Sequence, residues 1–398
     1  MAVWQGQLQE SLQWENAPLE FQFLYTLIIC MDANFCLKNQ IVSSFSRDPG
    51  LGIGWAYFVP KPTYDAYVLN HMSDKDISTC IGFVALAKAD TKFSWGLCFT
   101  GVGTVSCAWD EFIMSVGNLQ KGERYASMDF IFASTLQNFV MLLLGVISYD
   151  IACQWFVNLY KCMNGWPSNL RINRPLKLRP VISKFHEPTH KVKKHHEFSY
   201  NLVKGLGNCD CEGPERIWGG HNNLGNSMKT MGPGSCHNML DDHFGFWNWQ
   251  KYIRMGKSLI CKYKVAIKEH NVQVEEHRGL SANLLAHLVA QWDSLCEVWE
   301  DDMFPKTAEN PFHVDEEFLS EKEVEKELEE EEEEHKHNGG VIRHAMSADK
   351  FLVLGLKLEE SQWKVQSVAV KCTNKMLTKH QDTSLADQRN VLHTKLKA

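Results

Sequence analysis

Tyr25-Thr-Leu-Ile-Ile-Cys-Met-Asp32-Ala-Asn-Phe35 ends a continuous apolar run on a single carboxylate. A short run rich in Ile and Leu reads as a strand buried on both faces. An Asp at its mouth, short of water, calls for a cation, a hydrogen-bond network or a metal, because burying a lone carboxylate costs several kcal/mol. An Asp that merely caps the following turn is the plainer alternative. The pattern recurs, however. Val140-Met-Leu-Leu-Leu-Gly-Val-Ile-Ser-Tyr-Asp150 is a second apolar run closed by an acid, and a helix-like segment, Ile151 to Tyr160, follows it. In open α/β sheets the carboxyl edge of the strands is where ligands bind. Two neighbouring acids there repel each other unless a divalent metal bridges them.

The chain has 398 residues, 44% of them hydrophobic and 11% aromatic, enough for a large α/β core and an appended region. Its thirteen cysteines follow no even spacing and no secretory leader precedes them, which favours a reduced intracellular compartment over a disulfide framework. The membrane candidate, Ile131 to Tyr149, is interrupted by Gln137, Asn138 and Gly145 and reads as a helix feeding a strand, with no span.

The net charge of −7 is unevenly spread. From Tyr160 to Gly205 ten Lys and Arg stand against two Glu, +8, which leaves −15 for the remainder. Such a basic segment in an acidic protein suits phosphates, or is an ordinary solvated surface. Between Asp315 and Glu334 thirteen acids stand against two Lys, a block that repels itself as a solvated helix or disordered run.

Along the chain, residues 1–20 form an irregular leader. Gly50, Gly52 and Gly54 mark turns and lack the Lys-Ser/Thr of a phosphate loop. Trp55–Val59 and Gly96–Val105 are strand-like, and Leu119 onward leads into a helix ending near Val140. The resulting order of three strands, helix, strand and helix is that of an RNase H-like core, with a mixed sheet, a basic insertion at about 160–208 and a helical region over 276–398 that holds the acidic run 315–334. The core itself spans 21–275.

His186, His190, Cys209 and Cys211 are of zinc-ligand type, yet their spacing matches no standard finger and hydrogen-bonded structural histidines fit better. Pro214 suits the first position of a helix and Glu215 its first turn, so that Glu215 and Trp218, three residues apart, share a face. From Lys251 to about Trp299 the sequence reads as amphipathic helix.

Seven motifs in order resemble the Kyakuja-Dileera-Zisupton (KDZ) transposases of eukaryotic mobile elements. They are Cys30-Met-Asp-Ala-Asn-Phe35, Thr100-Gly-Val-Gly103, Leu119-Gln-Lys-Gly-Glu-Arg-Tyr125, Ser148-Tyr-Asp-Ile-Ala-Cys-Gln-Trp155, Glu212-Gly-Pro-Glu-Arg216, Met231-Gly-Pro-Gly-Ser235 and Leu240-Asp-Asp-His-Phe244. The resemblance covers roughly residues 25–260, with a weaker likeness at Phe351–Glu360 and Gln388–Leu392.

It implies a DDE-type site on an RNase H-like fold, cut-and-paste DNA chemistry in the nucleus, and two Mg²⁺ or Mn²⁺ ions. The acids it implies are Asp32, Asp150 and either Glu212 or Glu215. Transposon ends and target DNA are the partners expected, met through Lys184, Lys191, Lys193, Lys194 and Arg216, and a homo-oligomer is compatible with it; no membrane is involved. Trp109-Asp110 stands where the family usually has Arg-His, and Asn118 where Asp is common. The cysteine-cluster domain usual upstream is expected to be missing as well. A truncated or decaying copy is therefore expected, able to keep the fold and lose transposition. The competing class is a catalytically silent domain that binds DNA or a protein.

Overall fold

Residues Ile28–Met31 offer no polar side chain to water, and all four are buried at the centre of a sheet. The computed structural model describes residues 18–52, 56–71, 96–120, 122–139, 142, 144–173, 176–190, 195–207 and 209–313, with scattered positions between 326 and 366. Strand β1 (Leu27–Asn34) is the middle of five. Strands β2 (Asn39–Gln40) and β3 (Leu97–Phe99) pair apart from it as a small antiparallel sheet. On one side of β1 lies β4 (Gly101–Cys107), antiparallel to it, and beyond that β5 (Ile113–Leu119), antiparallel again. On the other side β6 (Leu144–Tyr149) runs parallel to β1, and β7 (Lys177–Val181) parallel to β6. The sheet order is β5-β4-β1-β6-β7, a mixed α/β arrangement.

Alternation along β1 sorts its side chains between two layers. Ile29 and Met31 join a cluster with Phe130, Ile131 and Phe132, while Ile28 and Cys30 join another with Val146, Val181, Cys209 and Cys211. The first layer is roofed by α1 (Lys61–His71) and α2 (Tyr125–Leu136). Phe130 and Phe132 of α2 are almost fully buried, a contribution of about 1.5–3 kcal/mol each. Helices α3 (Ala152–Trp155) and α4 (Leu159–Met163) follow β6 and add Trp155 and Leu159 to the same core. On the opposite face, α5 (Gly213–His221), α6 (Gly225–Met228) and the start of α7 (Pro233–Ala282) cover β4 and β5, packing Ile217, Trp218, Met228, Leu240 and Phe244 against Val102, Ile113 and Val116. Beyond Phe244 no residue of α7 is buried. Helix α8 (Ala286–Asp301) buries Trp299.

Three segments differ from expectation. Of Trp55–Val59, the described residues make a single bridge, Phe58 to Val116, and the third large antiparallel strand is β5 instead. The stretch after Trp166, expected as loop, contains β7. Ten of the residues from Tyr125 to Leu136 are buried, and the helix ends at Leu136, before a short 3₁₀ turn, Gln137–Phe139.

The chain forms two compact units, Met1–His313 and Val314–Ala398. Described residues of the second are helical, and Lys326 pairs with Glu330 one turn on. Most of the acidic run, and residues 1–17, lie outside the described residues. Among the described residues no helix is long and apolar enough to cross a membrane.

Candidate metal centre

The parallel pairing of β1 and β6 sets Met31 opposite Tyr149, so Asp32 and Asp150 occupy the next position of adjacent strands. By alternation Asp32 faces the layer that holds Ile28 and Cys30, the side covered by α5. There Trp218 Nε1 donates a hydrogen bond of 2.6 Å to Asp32 Oδ2. Glu215, one turn earlier on α5, points the same way, since residues three apart share a helix face. Pro214 begins the helix, where its missing N–H costs nothing.

A fourth group enters from the turn that follows β7. His186 Nδ1 lies 3.5 Å from Asp150 Oδ2, and its Nε2 lies 3.2 Å from Glu215 Oε1. The turn is fixed by the N–H groups of His186 and Glu187, which donate to Ser183 O at 3.2 and 3.0 Å, and by Phe185 N–H, which donates to Glu212 Oε1 at 2.6 Å. Ligand atoms of Asp150, His186 and Glu215 all lie within 4.8 Å of one another.

The charges are strongly coupled. Burial, with the Glu215 charge added, pushes the Asp32 carboxyl up to about 7 against the hydrogen bonds of Ala33 N–H and Trp218. Burial and the nearby Asp32 charge hold Asp150 well above the ordinary carboxylate range. Burial opposes charge on His186, but its hydrogen bond to Glu215 and the Asp150 and Glu215 charges override that and push the imidazole up to about 9. Burial would also raise Glu215, and His186 overrides it, holding that carboxyl below its usual range. Glu215 Oε2 is buried without a hydrogen-bond partner.

One imidazolium set against several acids that resist ionising together, beside a buried carboxylate oxygen without a hydrogen-bond partner, leaves room for further positive charge. Hard carboxylate oxygens of this kind suit a divalent ion such as Mg²⁺ or Mn²⁺. The residues present therefore fit the metal chemistry that the sequence suggested.

The remaining expected site residues are distributed as follows. Glu212 accepts the Phe185 N–H and stands outside the ligand group formed by Glu215. The four zinc-type residues do not come together. His186 is engaged with the two acids, and His190 Nδ1 lies 3.8 Å from Cys153 Sγ. Cys209 and Cys211, their sulfurs 3.9 Å apart, are packed as small apolar groups, with Cys209 Sγ donating to Ala108 O and Cys30 Sγ to Cys211 O. The hydrogen bond to Cys211 and burial push the Cys209 thiol up; the bond to Cys209 lowers Cys211, but its hydrogen bond with Cys30 and burial override that, so both are held away from the thiolate that zinc binds. Arg216 is engaged by Asp210, at 2.9 Å, and by Glu111. Lys184 is exposed two residues from His186, and Lys191, Lys193 and Lys194 lie outside the described residues.

Sequence reasoning missed His186 as a neighbour of the acids. The signal was its distance from a strand: once Lys177–Val181 is read as β7, His186 falls just past the same sheet edge as Asp32 and Asp150.

A family model described as KDZ, Kyakuja-Dileera-Zisupton transposase, matches residues 25–248, more than half of the 398. The match spans Asp32, Asp150, His186 and Glu215 together. No curated protein and no solved structure matches the chain.

Proposed function

The chain belongs to the KDZ transposase family, and from that premise we propose that it is a DDE-type DNA transposase with an RNase H-like core, cutting and joining DNA strands in the nucleus with Asp32, Asp150 and Glu215 as its metal-holding acids. The observation that carries the reading is that Asp150 and Glu215 present ligand atoms within 4.8 Å of each other and of His186, with Asp32 at the neighbouring position of the adjacent strand. The order of elements supports the fold reading: antiparallel strands, then a helix, then a parallel strand and a helix.

Divalent ions bound there would supply an activated water or 3′-hydroxyl and neutralise the leaving oxygen of a scissile phosphate. The protein's own part is positional. Trp218 fixes the rotation of the Asp32 carboxylate. His186 spans Asp150 and Glu215 and keeps them apart. Phe185 is exposed beside them, with Lys184, so a DNA backbone meets a cation and an aromatic ring at the mouth of the site. Glu212 anchors the turn that carries these groups through its bond to Phe185 N–H.

The test is nicking of transposon-end DNA with Mn²⁺ by the full chain and by the Asp32→Asn, Asp150→Asn and Glu215→Gln variants. Each substitution is expected to lower the rate at least about a hundredfold, since every one removes a metal-holding oxygen. Unchanged nicking by Asp32→Asn and Asp150→Asn would overturn the site. DNA binding that ignores Mg²⁺, together with no nicking by the unaltered chain, would identify a silent binding domain instead.

A further inference from the structure

The ligand atoms that cluster most tightly are not those of the three acids. They belong to Asp150, His186 and Glu215, all within 4.8 Å of one another. Asp32 lies beside the group, with Oδ2 engaged by the indole of Trp218.

We propose that His186 is itself a metal ligand, so that one ion is held by Asp150, His186 and Glu215 in a mixed carboxylate–imidazole set which favours Mn²⁺ over Mg²⁺. The inference rests on the metal-dependent reading above and deepens it by naming a donor outside the acid triad.

Three observations support it. The imidazole is inserted between the two carboxylates, with one ring nitrogen toward each. An ion entering between Asp150 and Glu215 therefore meets the ring before it meets any other side chain of that trio. The turn bearing His186 is tied to its own Ser183 and to Glu212, so the ring is presented by a fixed backbone. Glu215 Oε2 is buried without a partner in the same place, an acceptor that only a cation or a donor can satisfy.

The donor chemistry decides the metal. Mg²⁺ demands oxygen ligands in near-ideal octahedral geometry, whereas a transition ion such as Mn²⁺ accepts imidazole as well as carboxylate. Replacing one oxygen donor with a nitrogen thus shifts selectivity toward the softer ion. It also explains why a basic side chain stands in a site built for cations, since the ring neutralises the acids as an imidazolium and, when the ion replaces that charge and one ring proton is released to solvent, coordinates as a neutral imidazole.

The experiment is pulsed electron paramagnetic resonance of Mn²⁺ titrated into the full-length chain, which detects a coordinated nitrogen directly. Expected are a ¹⁴N imidazole coupling in the unaltered protein, its conversion to a ¹⁵N pattern when histidine is isotopically labelled, and its loss in His186→Gln. That variant should also bind Mn²⁺ at least about tenfold more weakly while its Mg²⁺ affinity falls less. The isotope arm needs no substitution, so misfolding of the variant does not decide the outcome. Saturable Mn²⁺ binding that is abolished by Asp150→Asn but carries no nitrogen coupling would overturn the His186 assignment and leave the acid site standing. No saturable Mn²⁺ binding by the unaltered chain would overturn both.

Discussion

Trp218 and Asp32 meet through a hydrogen bond of 2.6 Å. An outer partner that fixes the rotation of a ligating carboxylate commonly accounts for 10–100-fold in metal affinity. Trp218→Phe keeps the ring and removes the donor, so Mn²⁺ affinity is expected to fall by roughly that factor with no loss of helix content, as a titration followed by circular dichroism would report. A second pair lies away from the site. His237, buried and stacked on Phe58 at 3.9 Å, is bonded to Asn118. Burial, helped by the Lys61 charge, holds its imidazole down to about 4. Its folded pKa is thus below the unfolded one, so the unfolded chain takes up the proton first as pH falls. The stability gained by keeping His237 neutral is complete above about pH 6.5 and is lost progressively toward pH 4, on the order of 3 kcal/mol. Urea midpoints should therefore drop between pH 7 and pH 5. Asn118→Asp sets a carboxylate beside the same nitrogen, raises the His237 pKa and should shrink that drop.

At the scale of elements, the contact of α7 with the loop at residues 48–50 is the tightest backbone approach in the site's support. Asp48 Oδ2 accepts the Ser235 N–H at 2.9 Å, a carboxylate at a helix N-terminus. A Cβ on Gly234 would collide with the backbone of Asp48 and Gly50, neither of which can rotate away. Gly234→Ala is expected to destabilise the fold by about 1–3 kcal/mol, measured by chemical denaturation. The glycines at 50 and 234 thus serve packing, in keeping with the reading of the Gly50 region as turns. The elements legible in the sequence were those whose burial leaves a continuous apolar record: β1, β6 and α2. Helix α5 was legible for another reason, since Pro214 and Glu215 mark its start. β5 was hidden because α2 lies so close that a Cβ on Gly117 would strike Ile131, which breaks the apolar run with a small residue. β7 was hidden because it is an edge strand, where Lys177, Arg179 and Pro180 are tolerated and discourage further pairing. Missing β7 also cost the placement of His186, whereas Asp32 and Asp150 could be singled out from pattern alone, and Glu215 shared its place with Glu212 until α5 set it beside His186.

For the whole molecule, charge is segregated: +8 from Tyr160 to Gly205 within a total of −7. Of that segment's described residues, Lys184 stands two positions from His186, so DNA affinity should decline steeply between about 50 and 200 mM salt as counterions are released. Lys184→Ala should weaken binding to all sequences alike and make the slope of log affinity against log salt shallower by about one, as fluorescence anisotropy would show. Asp32 belongs to the first strand of the sheet and Asp150 follows the fourth of its five, whereas His186 and Glu215 come only after β7, the last. A chain still on the ribosome, with β1 and β6 already paired, would hold two mutually repelling aspartates and neither of the groups that complete their pocket. On the reading proposed above, the metal site is therefore completed late in translation, when α5 emerges and docks, and no shorter nascent product carries the whole of it.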